Sequence, residues 1–379
     1  MERFKALEVY FDTRKVGTLA TYQNRITAFE YSQQWLNNGF SISPFSLPLQ
    51  KKLFLPKYEP FDGLYGVFAD SLPDGWGRLL VDRLLLQEQM DPHTVDMLNR
   101  LSIVGETGMG ALTYRPVHKL QSEQAQYDYD RISEECRKIL ESEYSEDLDM
   151  LFALGGSSGG ARPKILVRID GEDWIVKFPA SVDKKNIGEI EYLYSLCAKK
   201  CGIIMPETQL FPSVQCAGYF GVKRFDRCKT AKGDTKRIHM ISVSALLETS
   251  HRIPNLDYNN LMALTLKLTK NYSEVEKMFR LMCFNVFAHN RDDHSKNFSF
   301  IYDAEKQKWC VSPAYDLTYS NSIGGEHATT VNGNGKNPQK ADLLAVADKI
   351  SLSKEKARII IDQTETTVKE ELGEIENFK

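Results

Sequence analysis

The 379-residue sequence predicts an α+β fold whose first part is β-rich with interspersed helices and whose last part is mostly helical. Three observations carry this. Short alternating apolar runs open the chain, a second pair of such runs follows a glycine-rich stretch, and helical periodicity dominates from His239 onward. The length exceeds one comfortable core, so two or three packed subdomains are expected. With 42% hydrophobic and 26% charged residues the composition is that of a folded chain, neither disordered nor collagen-like. Its 51 acidic and 48 basic side chains give a net charge of −3, so nucleic acid or an anionic membrane has no whole-molecule attraction to exploit.

The runs ALEVYF and RITAFEY alternate, and turn-forming Lys15-Val16-Gly17 and Gln23-Asn24 split them into a short antiparallel sheet. From Trp76 to Met90 apolar residues recur at three- and four-residue spacing, which predicts a helix packed on that sheet. The polar segment Gln121–Glu135 is the best boundary candidate. After it, Glu134–Leu151 reads as one helix and LGGSSGGARPK, residues 154–164, as a glycine-rich loop. Strands Ile165–Ile169 and Trp174–Phe178 flank a turn over Asp170–Asp173, a helix spans Asn186–Lys200, and strand Tyr219–Phe225 closes the unit. The clearest later helices are Leu261–Lys270, Ser273–Ala288 and Lys354–Leu372.

Several classes are excluded. Met1–Leu19 carries charges every few residues and no apolar h-region, so it is not a secretory signal, and no stretch approaches the roughly 18 apolar residues of a membrane span. The seven cysteines form no C-x-x-C pair, and Cys197 and Cys201, the closest, read as packing thiols on a helix. A reduced, cytoplasmic protein is expected.

The strongest chemical signal is HNRDDHSKN, residues 289–297, between an apolar helix and a strand. Asp292 and Asn297 have the D-x4-N spacing of a protein-kinase catalytic loop, where a carboxylate accepts the substrate hydroxyl's proton and an amide oxygen holds magnesium on the phosphates. Asp316, in SPAYDLT, stands where a second magnesium ligand belongs. Upstream, the glycines of LGGSSGGARPK permit the close backbone approach and positive φ of a phosphate nest, without a Walker A or G-x-G-x-x-G pattern. Lys177 inside the apolar strand WIVKF is either a lysine snorkelling at a sheet edge or the strand lysine that neutralises the α- and β-phosphates of ATP, with Glu189 or Glu191 as ion-pair partner. KRFDR is read as an interlobe hinge. Each signal is common by itself; their occurrence together in kinase order predicts a phosphotransferase.

These residues resemble the HipA-type serine/threonine kinases, the toxin components of bacterial toxin–antitoxin pairs. The resemblance covers most of the chain: SLPLQ (46–50), SLPDGWGR (71–78), GETGMGAL (105–112), the Gly-Ala-x-x-Lys element at 160–164, Lys177, KRFDR (223–227), N-x-D-x-H-x-K-N (290–297), Tyr315-Asp316, His327 and Val331–Gly335. It implies a two-lobed protein-kinase-like fold with an additional amino-terminal α/β subdomain (1–118), a kinase N-lobe (119–226) and a mostly helical C-lobe (227–379). It also implies a requirement for ATP and Mg²⁺ and transfer to a protein hydroxyl, with translation factors or aminoacyl-tRNA synthetases as the expected targets. Carried over by position, Asp292 is the base, Lys296 stabilises the transferring phosphoryl, and Asn297 and Asp316 hold magnesium. Ser157, Ser158, Gly159, Gly160, Lys164, Lys177, Lys223, Phe225, His294 and Tyr315 are the expected nucleotide-binding set, Lys223 and Phe225 at the adenine-receiving hinge. Ser157, seven residues before Lys164, is the expected autophosphorylation site, with adjacent Ser158 open as an alternative.

The family's usual partner is a helix-turn-helix antitoxin of the HipB type that binds operator DNA, so DNA is expected only through that complex. The run Lys223–Arg237, with seven basic and two acidic residues, reads as a solvated loop or as a patch for DNA phosphates or an acidic partner face. Two other readings stay open: a catalytically silent antitoxin-binding corepressor, and a kinase of a small-molecule alcohol. The Gly/Asn/Thr-rich stretch 320–340 would shape the acceptor site under either enzymatic reading.

Overall fold

The structure, a computed structural model, describes residues 3–23, 25–117, 128–145, 147–156, 159–230, 233–373 and 378. The chain forms two compact units, Met1–Gly188 with Leu210–Thr249, and Glu189–Gln209 with Ser250–Lys379.

The first unit opens on an antiparallel sheet of β1 (Ala6–Phe11), β2 (Arg14–Tyr22), β3 (Ile26–Tyr31) and β4 (Leu112–Arg115) in the order β3-β2-β1-β4. Alternation fixes its faces, with Leu7, Val9 and Phe11 buried on one side of β1. Lys15-Val16-Gly17, expected as a turn, lies inside β2; the reversal is Asp12-Thr13, with Asp12 at φ 52°. Gly17 serves packing instead, because a Cβ there would run into the Phe29 ring and the Glu30 carbonyl.

Two short helices separate β3 from the next long helix. Helix α1 (Gln33–Asn38), capped by Ser32, buries Trp35, and α2 (Gly66–Ala69) follows. Helix α3 (Gly75–Gln87) realises the expected periodicity, burying Trp76, Leu80, Val81, Leu84 and Leu85. That face does not rest on the first sheet, as expected. It packs on a later helix and shares one core with Ile165 and Val176 of the second sheet and with Phe178 just beyond it. Helix α4 (Met97–Val104), capped by Asp96, leads into β4.

Two helices, α5 (Tyr129–Leu140) and α6 (Leu148–Gly155), replace the single helix expected over Glu134–Leu151. The break comes where Ser142 turns left-handed (φ 62°) and Ser145 Oγ donates back to Glu135 at 2.8 Å. Helix α5 also begins inside the segment expected to be a boundary, of which residues 121–127 lie outside the described set. Helix α6 is the one that α3 packs against.

The second sheet comprises β5 (Lys164–Ile169), β6 (Glu172–Lys177), β7 (Thr208–Phe211) and β8 (Tyr219–Lys223), ordered β5-β6-β8-β7. Its first hairpin turns on Asp170-Gly171 alone, both at positive φ (51° and 76°), the two-residue geometry whose twist matches that of paired strands. Glu172 and Asp173, expected in the turn, are in β6. The hairpin β9 (Arg227–Lys229) and β10 (Thr235–Arg237), strand β11 (Met240–Ser242) and helix α8 (Val243–Leu246) complete the unit.

The basic run 223–237 is only in part the solvated loop expected: Lys229 and residues 233–235 are exposed, but Arg224 and Asp226 are buried. Asp226 is fully buried and receives Arg224 Nη2 at 2.7 Å, Arg227 Nη1 at 2.8 Å and Gly110 N at 2.7 Å. Both arginines also donate to Gly108 O at 3.0 Å, so KRFDR is bolted to the GETGMGAL segment. Burial by itself would raise the Asp226 carboxyl, but the two guanidinium charges and the Gly110 N–H outweigh it and hold the group at about 2.

The second unit is mainly helical, with α7 (Ile187–Lys200), α9 (Tyr258–Thr269), α10 (Tyr272–Phe287), α11 (Lys340–Lys349) and α12 (Lys354–Leu372). Strand β12 (Leu256–Asp257) pairs in parallel with β15 (Thr329–Thr330), and between them in sequence β13 (Ser299–Asp303) and β14 (Lys308–Val311) form a hairpin against α9 and α10. Cys197, Cys201 and Cys283 are buried free thiols, which is the packing role expected for the first two. No helix among the described residues is long and apolar enough to cross a membrane.

Candidate active site

Helix α10 delivers the HNRDDHSKN loop. It ends at Phe287, and His289 in the left-handed region (φ 51°) turns the chain out of the helix. Asn290 is then tied back to the helix twice, by its N to Asn285 O and by its Nδ2 to Asn285 Oδ1, both at 2.9 Å. A single 3-10 turn at Ser295–Asn297 leads into β13. The apolar helix, polar loop and strand expected here are all present.

Adjacent carboxylates in this loop have opposite environments. Asp293 is 1% exposed and accepts from Tyr258 Oη at 2.8 Å, from His327 Nδ1 at 2.9 Å and from Thr329 N at 3.1 Å. Thr329 Oγ1 donates in turn to Asp293 O, and Ala328 N to Arg291 O at 3.0 Å, so the segment 327–329 zips onto the loop. Burial and the neighbouring Asp293 carboxylate push the Tyr258 phenol well above its ordinary value, leaving it a hydrogen-bond donor throughout the working pH range. Asp292, by contrast, keeps a side chain 59% exposed, with His294 Nε2 at 3.8 Å from its Oδ1. Asn297 Nδ2 donates to Asp292 O at 2.8 Å, which fixes the amide and turns its Oδ1 away from that bond.

The second carboxylate is brought to this loop by a tyrosine. Tyr315 Oη donates to Lys296 O at 2.8 Å and pairs with Ser299 Oγ at 2.5 Å, so Tyr315-Asp316 is anchored to the segment that carries Lys296 and Asn297. Asp316 itself sits at φ 54°, a left-handed conformation that costs a non-glycine residue on the order of 1 kcal/mol and is commonest at functional sites. Asn290 Oδ1, Arg291 Nε, His294 Nδ1 and Ser295 Oγ are buried with no hydrogen-bond partner among the described residues, an unusual density of unmet polar capacity for nine residues of chain.

The first unit holds the other candidates. Ser157 and Ser158 lie outside the described residues. Gly160 has φ 88°, as a nest requires, and Lys164 is buried with its Nζ on Gly159 O at 2.5 Å. Arg162 makes a two-pronged pair with Asp183 at 2.9 and 3.0 Å. Lys177 is on β6, a central strand, so the edge-snorkelling reading fails; its Nζ lies 5.5 Å from the Phe220 ring centroid. Lys223 pairs with Glu172 at 3.0 Å and Phe225 is half-buried. Of the two carboxylates on α7, which belong to the second unit, Glu191 is buried and Glu189 exposed.

Sequence reasoning missed Asp293, Tyr258 and Thr329, which hold the loop from beneath, and Asp257, whose carboxylate takes Thr330 Oγ1 at 2.6 Å and Gly333 N at 2.7 Å. The Asp-Asp doublet was the available signal, because adjacent side chains on a loop tied down at both ends leave it in different directions, here one buried and one exposed.

Comparison with known proteins matches the HipA N-terminal domain over residues 7–115 and the HipA-like C-terminal domain over residues 156–372. The chain belongs to the HipA-like family. Two relatives of this HipA-like chain, both from Sinorhizobium fredii, are "Putative kinase Y4dM", 24% identical with 97% of this chain and 90% of the relative covered, and "Putative kinase Y4mE", 26% identical with 83% and 77% covered. The fold is that of HipA in the Shewanella oneidensis complex of HipA, HipB and operator DNA, with a TM-score of 0.73 at 17% identity over 98% of this chain and 91% of that one. The α+β, kinase-like architecture expected from the sequence is thus the one the HipA-like chain adopts. Helices α5 and α6 fall largely between the two matched domains, yet supply Ile132, Cys136 and Leu151 to the core under the second sheet.

Proposed function

We propose that this HipA-like chain is an ATP- and Mg²⁺-dependent serine/threonine protein kinase that acts as a toxin. The observation that carries the reading is the Asp292–Asn297 loop, with an exposed carboxylate on a backbone locked from below by buried Asp293. Asp292 takes the acceptor hydroxyl's proton as the hydroxyl oxygen bonds the γ-phosphorus and ADP leaves, and Lys296 offsets charge on the transferring group.

Among the described residues no three His, Cys, Asp or Glu side chains cluster as a metal cage. Magnesium does not need one: it binds through one or two protein oxygens plus phosphates, and Asn297 Oδ1 with Asp316 is a hard-oxygen pair of that kind. When bound, the ion would neutralise phosphate charge. Lys177, Gly159, Gly160 and Lys164 are assigned to the phosphates, Lys223 and Phe225 to the adenine, and His294 and Tyr315 to ordering the loop. The acceptor is a protein hydroxyl, of a translation factor or an aminoacyl-tRNA synthetase. A cytoplasmic setting, self-inactivation on Ser157 and restraint by a HipB-type helix-turn-helix antitoxin, through which alone it meets DNA, complete the proposal. The presence of HipB and operator DNA in the complex of its structural match supports the last part.

The test is peptide mass spectrometry of purified protein after incubation with Mg²⁺–ATP, with Asp292→Asn in parallel. Phosphate on Ser157 or Ser158 only in the unsubstituted protein is expected. Phosphate in neither protein, with ATP still bound by calorimetry, overturns self-inactivation and favours the corepressor or small-molecule readings.

A further inference from the structure

Helix α3 begins at Asp74, a residue type that normally caps its own helix through the side chain, yet the Asp74 carboxylate makes no cap bond. It reaches across 86 positions of sequence to the glycine-rich loop, where Asp74 Oδ1 accepts from the backbone N–H of Gly160. The contact is built from several sides. Trp76 N donates to Gly160 O at 3.0 Å, and Trp76 Nε1, on a fully buried indole, donates to Lys164 O at 3.1 Å. Gly75, at φ 43°, permits the approach, because a Cβ there would strike the Gly160 carbonyl and Ala161 Cα. A Cβ at Gly159 would itself lie 3.2 Å from Asp74 Oδ1.

The chemistry of this contact is that of an anion in a nest. A carboxylate oxygen on a loop N–H has the charge and acceptor character of a phosphate oxygen on the same N–H, and one N–H cannot serve both fully. Two of the bonds that anchor residues 160–164, both from Trp76, do not involve the Asp74 carboxylate. Resting on the nucleotide-binding reading above, we propose that Asp74 is an internal phosphate mimic: a latch from the amino-terminal domain that occupies the loop amide and sets nucleotide affinity by competition. Nucleotide enters by displacing the carboxylate, and the amino-terminal domain thereby acts as a built-in brake on the kinase.

The test is calorimetric titration of the full chain and its D74N and D74S forms with Mg²⁺ and a non-hydrolysable ATP analogue. Asparagine keeps the shape and an acceptor, serine keeps neither the length nor the charge, and thermal melts confirm that each folds. Removing the charge should tighten binding roughly three- to tenfold in both variants, an increase that a merely damaged loop would not give. Tighter binding should be matched by faster amide exchange in the 159–164 segment without nucleotide. Binding in all three proteins with equal or weaker affinity in the variants overturns the latch and leaves the kinase reading standing. Binding in none of them overturns both.

Discussion

Among the described residues each unit buries one aspartate almost completely, and the two are satisfied by different means. In the first unit Asp226 faces Arg224 and Arg227, so a full charge is balanced by full charges, with the Gly108 and Gly110 carbonyls taking the remaining guanidinium donors. In the second unit Asp293 is held by a phenol, a histidine ring nitrogen and a backbone N–H. The first arrangement is an ion lock joining two distant stretches of sequence, whereas the second is a hydrogen-bonded support whose purpose is to fix the loop above it. Removing one member of a buried ion group leaves uncompensated charge, which is more costly than losing one acceptor among polar donors.

The largest effect expected is on chemistry. Asp292→Asn should lower phosphotransfer by about a thousandfold or more while shifting the melting temperature little, because the side chain is exposed. Initial-rate assays beside a thermal melt would show it, and retention of most activity would remove Asp292 as the base. Next comes the ion lock: Asp226→Asn should cost about 3–5 kcal/mol in urea unfolding, since Arg224 and Arg227 stay buried without their anion. Asp293→Asn should cost less, about 1–3 kcal/mol, because an amide can accept one of the three bonds but presents N–H to another donor. If the two variants lose equal stability, the distinction between ion lock and hydrogen-bonded support is broken.

The smallest effect concerns Glu248, which accepts from Gly66 N at 3.1 Å. Burial raises its carboxyl from 4.5 to about 7 despite the opposing pull of the Gly66 N–H and Ser46, with Asp70 adding to the rise. Folding therefore takes up a proton, so the stability linked to this group is complete below 4.5 and is lost as pH rises through about 7. After discounting for solvent screening, Glu248→Gln should stabilise the protein by about 1 kcal/mol above that pH, with the gain vanishing toward the acid end. Melting curves across the window would check it; a gain independent of pH would rule out titration as its origin.

Much of the fold was legible because local patterns were strong. The α3, α9, α10 and α12 helices follow from apolar spacing and the β5–β6 hairpin from its Asp-Gly turn. The errors arose where packing overrode local signals. Gly17 looked like a turn residue and is a strand residue pressed under Phe29, and of the two readings open for Lys177 the central position of β6 removes the edge lysine. Residues 223–237 read as a solvated loop or a binding patch because seven cations crowd them, yet the Gly108 carbonyl, 116 and more positions away, takes up Arg224 and Arg227.

The sequence by itself determined the family and the order and spacing of Lys177, Asp292, Asn297 and Asp316 along the chain, because those depend on residue type and short spacing. Only the tertiary structure decided which of two adjacent aspartates is buried, that Asp74 leaves its own helix for the glycine-rich loop, and that Tyr315 carries Asp316 to Lys296. Those are contacts between distant segments, fixed by burial and by the need to satisfy buried polar groups, and no local pattern encodes them.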